Sequence, residues 1–113
     1  ETTLAEDTGD PELLYELGDR LSSRVGRYLS HRDMRGKTVK VKLRLADFTT
    51  FTRQRTLASA PETPEEIAEA ARALVAKELL PDREFRLVGV GISGFEAEEE
   101  KGEEAVQPRL FGF

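Results

Sequence analysis

Residues 38–45, TVKVKLRL, place apolar Val39, Val41, Leu43 and Leu45 in strict alternation with cationic Lys40, Lys42 and Arg44. A period of two belongs to a β-strand, so this segment is predicted to bury one face and to show a positively charged one. A short turn from Asp47 to Thr50 leads into FTRQRTL, residues 51–57, which is rich in β-branched and aromatic residues, and the two runs read as an antiparallel hairpin. On the second run Arg53 and Arg55 share one face, and Thr52, Gln54 and Thr56 the other.

The segments on either side keep a different period. Leu14, Leu17, Leu21, Val25 and Tyr28 recur in steps of three or four, which predicts a helix from about Pro11 to Leu29 with Asp10 as its N-cap. Pro11 suits the first helical position, whereas Gly18 and Gly26 weaken the interior. A second helix opens on a capping box, Thr63 with Glu66. It carries Ile67, Ala70, Ala71, Leu74, Val75 and Leu79 on its buried stripe and is stopped by Pro81. FRLVGVGISGF, residues 85–95, reads as a strand with Val88, Val90 and Ile92 on one face and Gly89, Gly91 and Ser93 on the other.

With ETTL as part of a first strand, the order is β-α-β-β-α-β. The fold class expected is α+β: the split βαβ sandwich, a four-stranded antiparallel sheet with two helices on one face. The expected organisation is a domain over 1–95, an acidic flexible linker over 96–105 and a terminal peptide over 106–113. The linker, with six glutamates against Lys101 between 96 and 104, is too polar to fold and is expected to form a disordered acidic tail.

Charge is segregated along the chain. Residues 1–19 hold seven acids and no base, whereas Arg20 to Ala60 holds eleven Lys and Arg against Asp33 and Asp47 alone. A local excess of nine positive charges inside a chain of net charge −5 marks a candidate polyanion surface. Little else carries chemistry. The chain has no cysteine and a single histidine, His31, so disulfides and thiolate metal sites are excluded and a reducing, cytoplasmic setting is expected. No apolar run approaches the ~18 residues that span a bilayer, so a soluble protein with no membrane partner is expected. No phosphate-binding loop, nucleophile elbow or histidine pair is present. Asp47 reads as a turn residue and His31 as a solvated loop residue.

What remains is an open sheet face of Lys, Arg, Thr and Gly, one of the ways to hold a nucleic-acid backbone. The lack of an aromatic pair on that face argues against an RNA-recognition module of the same topology, which stacks bases on aromatics. An RNA-binding split-βαβ module and a non-catalytic, polymerase-related protein adaptor are the alternatives.

At KTVKVKLRLADFTTFTRQRTL, and again at FRLVGVGISGF, the chain resembles the little finger, or polymerase-associated, domain of Y-family translesion DNA polymerases, most closely the bacterial DNA polymerase IV branch. The similarity runs over about residues 1–95. The resemblance implies a DNA-binding domain of an error-prone polymerase, without catalytic residues of its own. It would be tethered to palm and thumb domains of the same chain, and the metal-binding carboxylates and Mg2+ would belong to the palm. It implies a monomer that grips template-primer duplex without sequence preference, through Lys40, Lys42, Arg44, Thr52, Arg53, Gln54, Arg55, Thr56, Arg86 and Ser93. Leu87 and Gly91 stand where many relatives carry a base. The absence of an initiator methionine fits a piece of a longer chain.

The end of the chain, VQPRLFGF, resembles the sliding-clamp-binding peptides with which such polymerases end. The resemblance implies that Gln107 hydrogen-bonds in a pocket of the clamp, while Leu110 and Phe111 are buried there. Pro108 replaces the usual Leu, removing one apolar contact while holding the peptide extended.

Overall fold

The computed structural model describes residues 1–95. The acidic linker and the terminal peptide expected beyond them, including Gln107, Leu110 and Phe111, lie outside the described residues. The elements are β1 (Thr2–Thr8), α1 (Pro11–His31), β2 (Gly36–Leu45), β3 (Thr50–Thr56), α2 (Pro64–Ala76) and β4 (Phe85–Phe95). The strands form one antiparallel sheet in the order β1-β4-β2-β3, so the hairpin β2–β3 pairs locally while β4 inserts between β1 and β2. This is the expected α+β split βαβ architecture.

Both helices begin as their sequences require. Asp10 accepts a hydrogen bond from the Glu12 amide at 3.0 Å, and Thr63 and Glu66 complete the capping box of α2. α1 runs through Gly18 and Gly26 and ends at His31, two residues beyond the expected end. Gly26 has a packing reason: a Cβ there would lie 2.9 Å from Pro64 Cγ, so the bare backbone lets α2 start against α1. Further along the same interface Arg72 reaches Asp19 at 3.0 Å while lying over the Tyr15 ring. α2 stops at Ala76, ahead of the Pro81 signal, and Leu79 packs against the core from the turn that follows.

The core lies between the helices and one face of the sheet. Val39, Val41 and Leu43 of β2 and Val88 and Ile92 of β4 are fully buried against Leu14, Leu21, Ile67 and Val75 of the helices. Two phenylalanines enter this core against the alternation of β4. Gly91 and Gly89 face Lys40 and Lys42, so strict alternation would send Phe85 and Phe95 to the open side as well. At one end the register shifts between Arg44↔Leu87 and Leu45↔Phe85, leaving Arg86 as the extra residue of a bulge and turning Phe85 inward. At the other end Gly94 takes φ 74°, where a side chain would be strained, and Phe95 beyond it is again core.

The β2–β3 turn closes with Leu45 N–H donating to Thr49 O at 2.8 Å, and Phe48 holds φ 74° at its tip. A bulky residue in that conformation is uncommon. Asp47 accepts from the Thr49 amide at 2.9 Å. That amide, then the Thr49 hydroxyl, holds the Asp47 carboxyl below its ordinary value of 3.8. The folded state therefore binds this proton less tightly than the unfolded chain does. The stabilisation is present above the unfolded pKa and is lost as pH falls through the lower folded value. A carboxyl NMR titration is expected to place the Asp47 midpoint below its value in urea. Coincident midpoints would show that the turn does not hold the carboxylate.

Candidate nucleic-acid interface

No described element covers the second face of the sheet, and the pairing register assigns its residues. Four rows cross it: Thr56, Thr38 and Ser93; Gln54, Lys40 and Gly91; Thr52, Lys42 and Gly89; and Thr50, Arg44 and Leu87, the last continued by Thr3 of β1. Rows follow one another every two residues, about 6.8 Å, and neighbouring strands lie about 4.8 Å apart. The result is a cationic stripe along β2, with hydroxyls and an amide along the edge strand β3 and a nearly side-chain-free path along β4.

The side chains are partly committed. Arg44 Nε donates to Thr50 Oγ1 at 2.8 Å, and Thr38 and Thr56 share a hydroxyl contact of 3.0 Å. Lys42 Nζ reaches Glu1 Oε1 at 3.1 Å, so a carboxylate already occupies one position of the stripe. Lys40 has no ion pair among the described residues. Gly89 and Gly91 carry no side chain, yet both are buried, and the lysines opposite them are half-buried. Aliphatic lysine stems laid along side-chain-free positions give that pattern.

Of the ten side chains expected to meet DNA, seven share this face: Lys40, Lys42, Arg44, Thr52, Gln54, Thr56 and Ser93. Arg53 and Arg55 do not. They pair with Val41 and Val39, whose side chains are core, so the pleat puts both arginines on the helix side. There Arg53 Nε meets Glu78 Oε2 at 3.0 Å, and the same carboxylate takes Arg83 at 3.1 Å. Arg53 also lies over Phe51, 4.5 Å from its centroid. Arg86, displaced by the bulge, stacks 4.2 Å from the centre of the exposed Phe48 ring. Thr38 and Thr50 belong to the face and were not expected there. The alternation of β2 already placed Thr38 on the lysine side; Thr50 needed the hairpin register.

The face has no aromatic in any of its four rows. Among the described residues no group of three or more acidic, His or Cys side chains is placed to hold a metal ion. No described helix is long and apolar enough to cross a membrane.

A family model described as the impB/mucB/samB family C-terminal domain matches residues 1–107. Among curated relatives, DNA polymerase IV of Desulfotalea psychrophila is 34% identical over 93 residues, which cover 82% of this chain and 25% of that protein. DNA polymerase IV of Xanthomonas euvesicatoria is 38% identical over 110 residues, or 96% of this chain and 28% of the relative. The chain thus spans about a quarter of the length of the curated relatives it matches. The little finger domain of PolIV, solved in complex with the beta-clamp processivity factor, superposes with a TM-score of 0.68 at 20% identity, covering 94% of this chain and 89% of that one. The two share one fold. The chain belongs to the impB/mucB/samB family as a C-terminal domain of the little finger type found in Y-family DNA polymerases of the DNA polymerase IV kind.

Proposed function

We propose that this domain grips the backbone of duplex template-primer DNA through the open sheet face, and that it tethers a longer error-prone polymerase to a sliding clamp through Gln107, Leu110 and Phe111. Nucleotidyl transfer belongs to a Mg2+-dependent palm outside this chain. The observation that carries the reading is the cationic stripe of Lys40, Lys42 and Arg44 bordered by Thr52, Gln54 and Thr56, with no aromatic among them. Cations attract phosphate along any sequence, hydroxyls and amides donate to phosphate oxygens, and a face without aromatics gives unstacked bases nothing to lie on. A PolIV little finger in complex with a clamp supports the second half, as do the apolar Leu110 and Phe111 that follow Gln107.

The grip is tested by salt titration of the 113-residue chain on duplexes of unrelated sequence. Three cations on three phosphates give a slope of about −0.9 each, or a loss of roughly forty-fold between 50 and 200 mM salt. A salt-independent isotherm, strong sequence selectivity, or preference for single-stranded RNA would overturn it. Removal of residues 107–113 is expected to abolish clamp binding and leave duplex affinity nearly unchanged. Equal clamp binding by the shortened chain would sink the tether.

A further inference from the structure

The sheet face absorbs only part of the basic excess between Arg20 and Ala60. Arg24, Arg27, Arg32, Arg35 and Lys37 are exposed at the C-terminal end of α1 and the start of β2. None of the five forms an ion pair among the described residues. Arg27 and Arg35 line, with Met34, Pro61 and Pro64, a groove of about 420 Å³ between the end of α1 and the start of α2. Asp33 and Glu62 face the same groove, so the local balance remains positive by three.

β4 delivers the chain to this end of the domain. Phe95 pairs with Gly36, which lies between Arg35 and Lys37. The next nine residues, 96–104, hold six glutamates and one lysine. Extended, nine residues reach about 30 Å, whereas Arg24 to Arg32 spans only about 12 Å of helix axis. A short tether also presents the segment to its neighbours at an effective concentration in the mM range.

We propose that the acidic segment 96–104 seats on the basic end of α1 and β2, and not on the cationic sheet face. Charge complementarity and proximity both favour this seat. Six carboxylates meet five bases that form no ion pair among the described residues, beside the point where β4 ends, while Lys40, opposite Gly91, lies four residues back along β4, about 13 Å away. The contacts are exposed and individually weak, so the seat is a salt-sensitive latch of many partial pairings. Its consequence is directional: the linker is held off the stripe of Lys40, Lys42 and Arg44, and residues 106–113 set out from the helix side. None of this rests on the proposal that the sheet face grips DNA.

Zero-length carbodiimide coupling of the 113-residue chain tests it, because it joins a Glu carboxyl to a Lys amine only in contact. Lys37 is expected to be the dominant partner of 96–104, well ahead of Lys40, Lys42 and Lys77. The product should vanish in 1 M salt, where the Debye length is about 3 Å, and in an Arg27→Glu, Arg35→Glu variant. Changing the six glutamates to Gln should move amide resonances over residues 24–37 and leave those of 38–45 in place. Coupling mainly to Lys40 or Lys42 would overturn the proposal by putting the segment on the sheet face. Even coupling to all lysines, or unmoved resonances over 24–37, would also overturn it.

Discussion

Changing Lys40 and Lys42 together to Glu is expected to lower affinity for duplex DNA roughly a hundred-fold at low salt. Hydrogen bonds to charged groups contribute about 1.5–3 kcal/mol each, and 1.4 kcal/mol is a factor of ten, so two contacts at the low end remove about 3 kcal/mol. The salt slope should fall with them, by about two units. Folding should be little disturbed, because Val39 and Val41 carry the buried side of β2 and the charged heads lie on the other. The double change also breaks the Lys42–Glu1 ion pair, so urea unfolding of the variant accompanies the binding measurement. The control is the pair Arg53→Glu, Arg55→Glu, which makes the same change of charge on the helix side of the neighbouring strand. Fluorescence anisotropy on one labelled duplex compares them. If the arginine pair costs as much as the lysine pair, overall charge and not the open face holds the DNA.

That comparison is informative because the sequence pattern settled which residues alternate on β3 without settling which set faced which way. Strand periodicity divides Arg53 and Arg55 from Thr52, Gln54 and Thr56. Only the register of the hairpin, Val41 opposite Arg53 and Lys42 opposite Thr52, joins the second set to the lysines. On β2 no such ambiguity existed, since the apolar half of TVKVKLRL had to be the core. Helix starts were legible for the same local reason: Asp10-Pro11 and Thr63-Pro64 are caps whose chemistry acts within one turn. The end of α2 was not. Pro81 forbids a helix beyond it but does not require one up to it, and the chain leaves the helix at Ala76 so that Glu78 can bridge Arg53 and Arg83.

β4 shows the other limit. Its alternation predicts Val88, Val90 and Ile92 as core, as found, but a strict period would have exposed both flanking phenylalanines. A bulge at Arg86 shifts the register by one residue, whereas at the other end a left-handed Gly94 precedes Phe95 with the register unchanged. The glycine at least advertises the second irregularity. Nothing in Glu84-Phe85-Arg86 announces the first, which brings Phe85 into the core that also holds Leu14, Leu43 and Val75.

The bulge can therefore be weighed by what it places. Phe85 is fully buried, and Phe85→Ala is expected to destabilise the domain by about 3–5 kcal/mol. Against the ~5–15 kcal/mol of a typical domain, that leaves a chain close to its unfolding threshold. Phe85→Leu, which keeps most of the volume, should cost much less, below ~1.5 kcal/mol if the core repacks around it. Urea unfolding of the three chains reads this directly as a shift in midpoint at constant slope. Arg86→Ala separates the two parts of the site: the bulge is a backbone feature and should survive. Taking the guanidinium off the Phe48 ring removes only an exposed stacking interaction, about 0.5–1 kcal/mol. If Arg86→Ala destabilised the domain as much as Phe85→Ala, the side chain and not the backbone shift would be what holds the phenylalanine in the core.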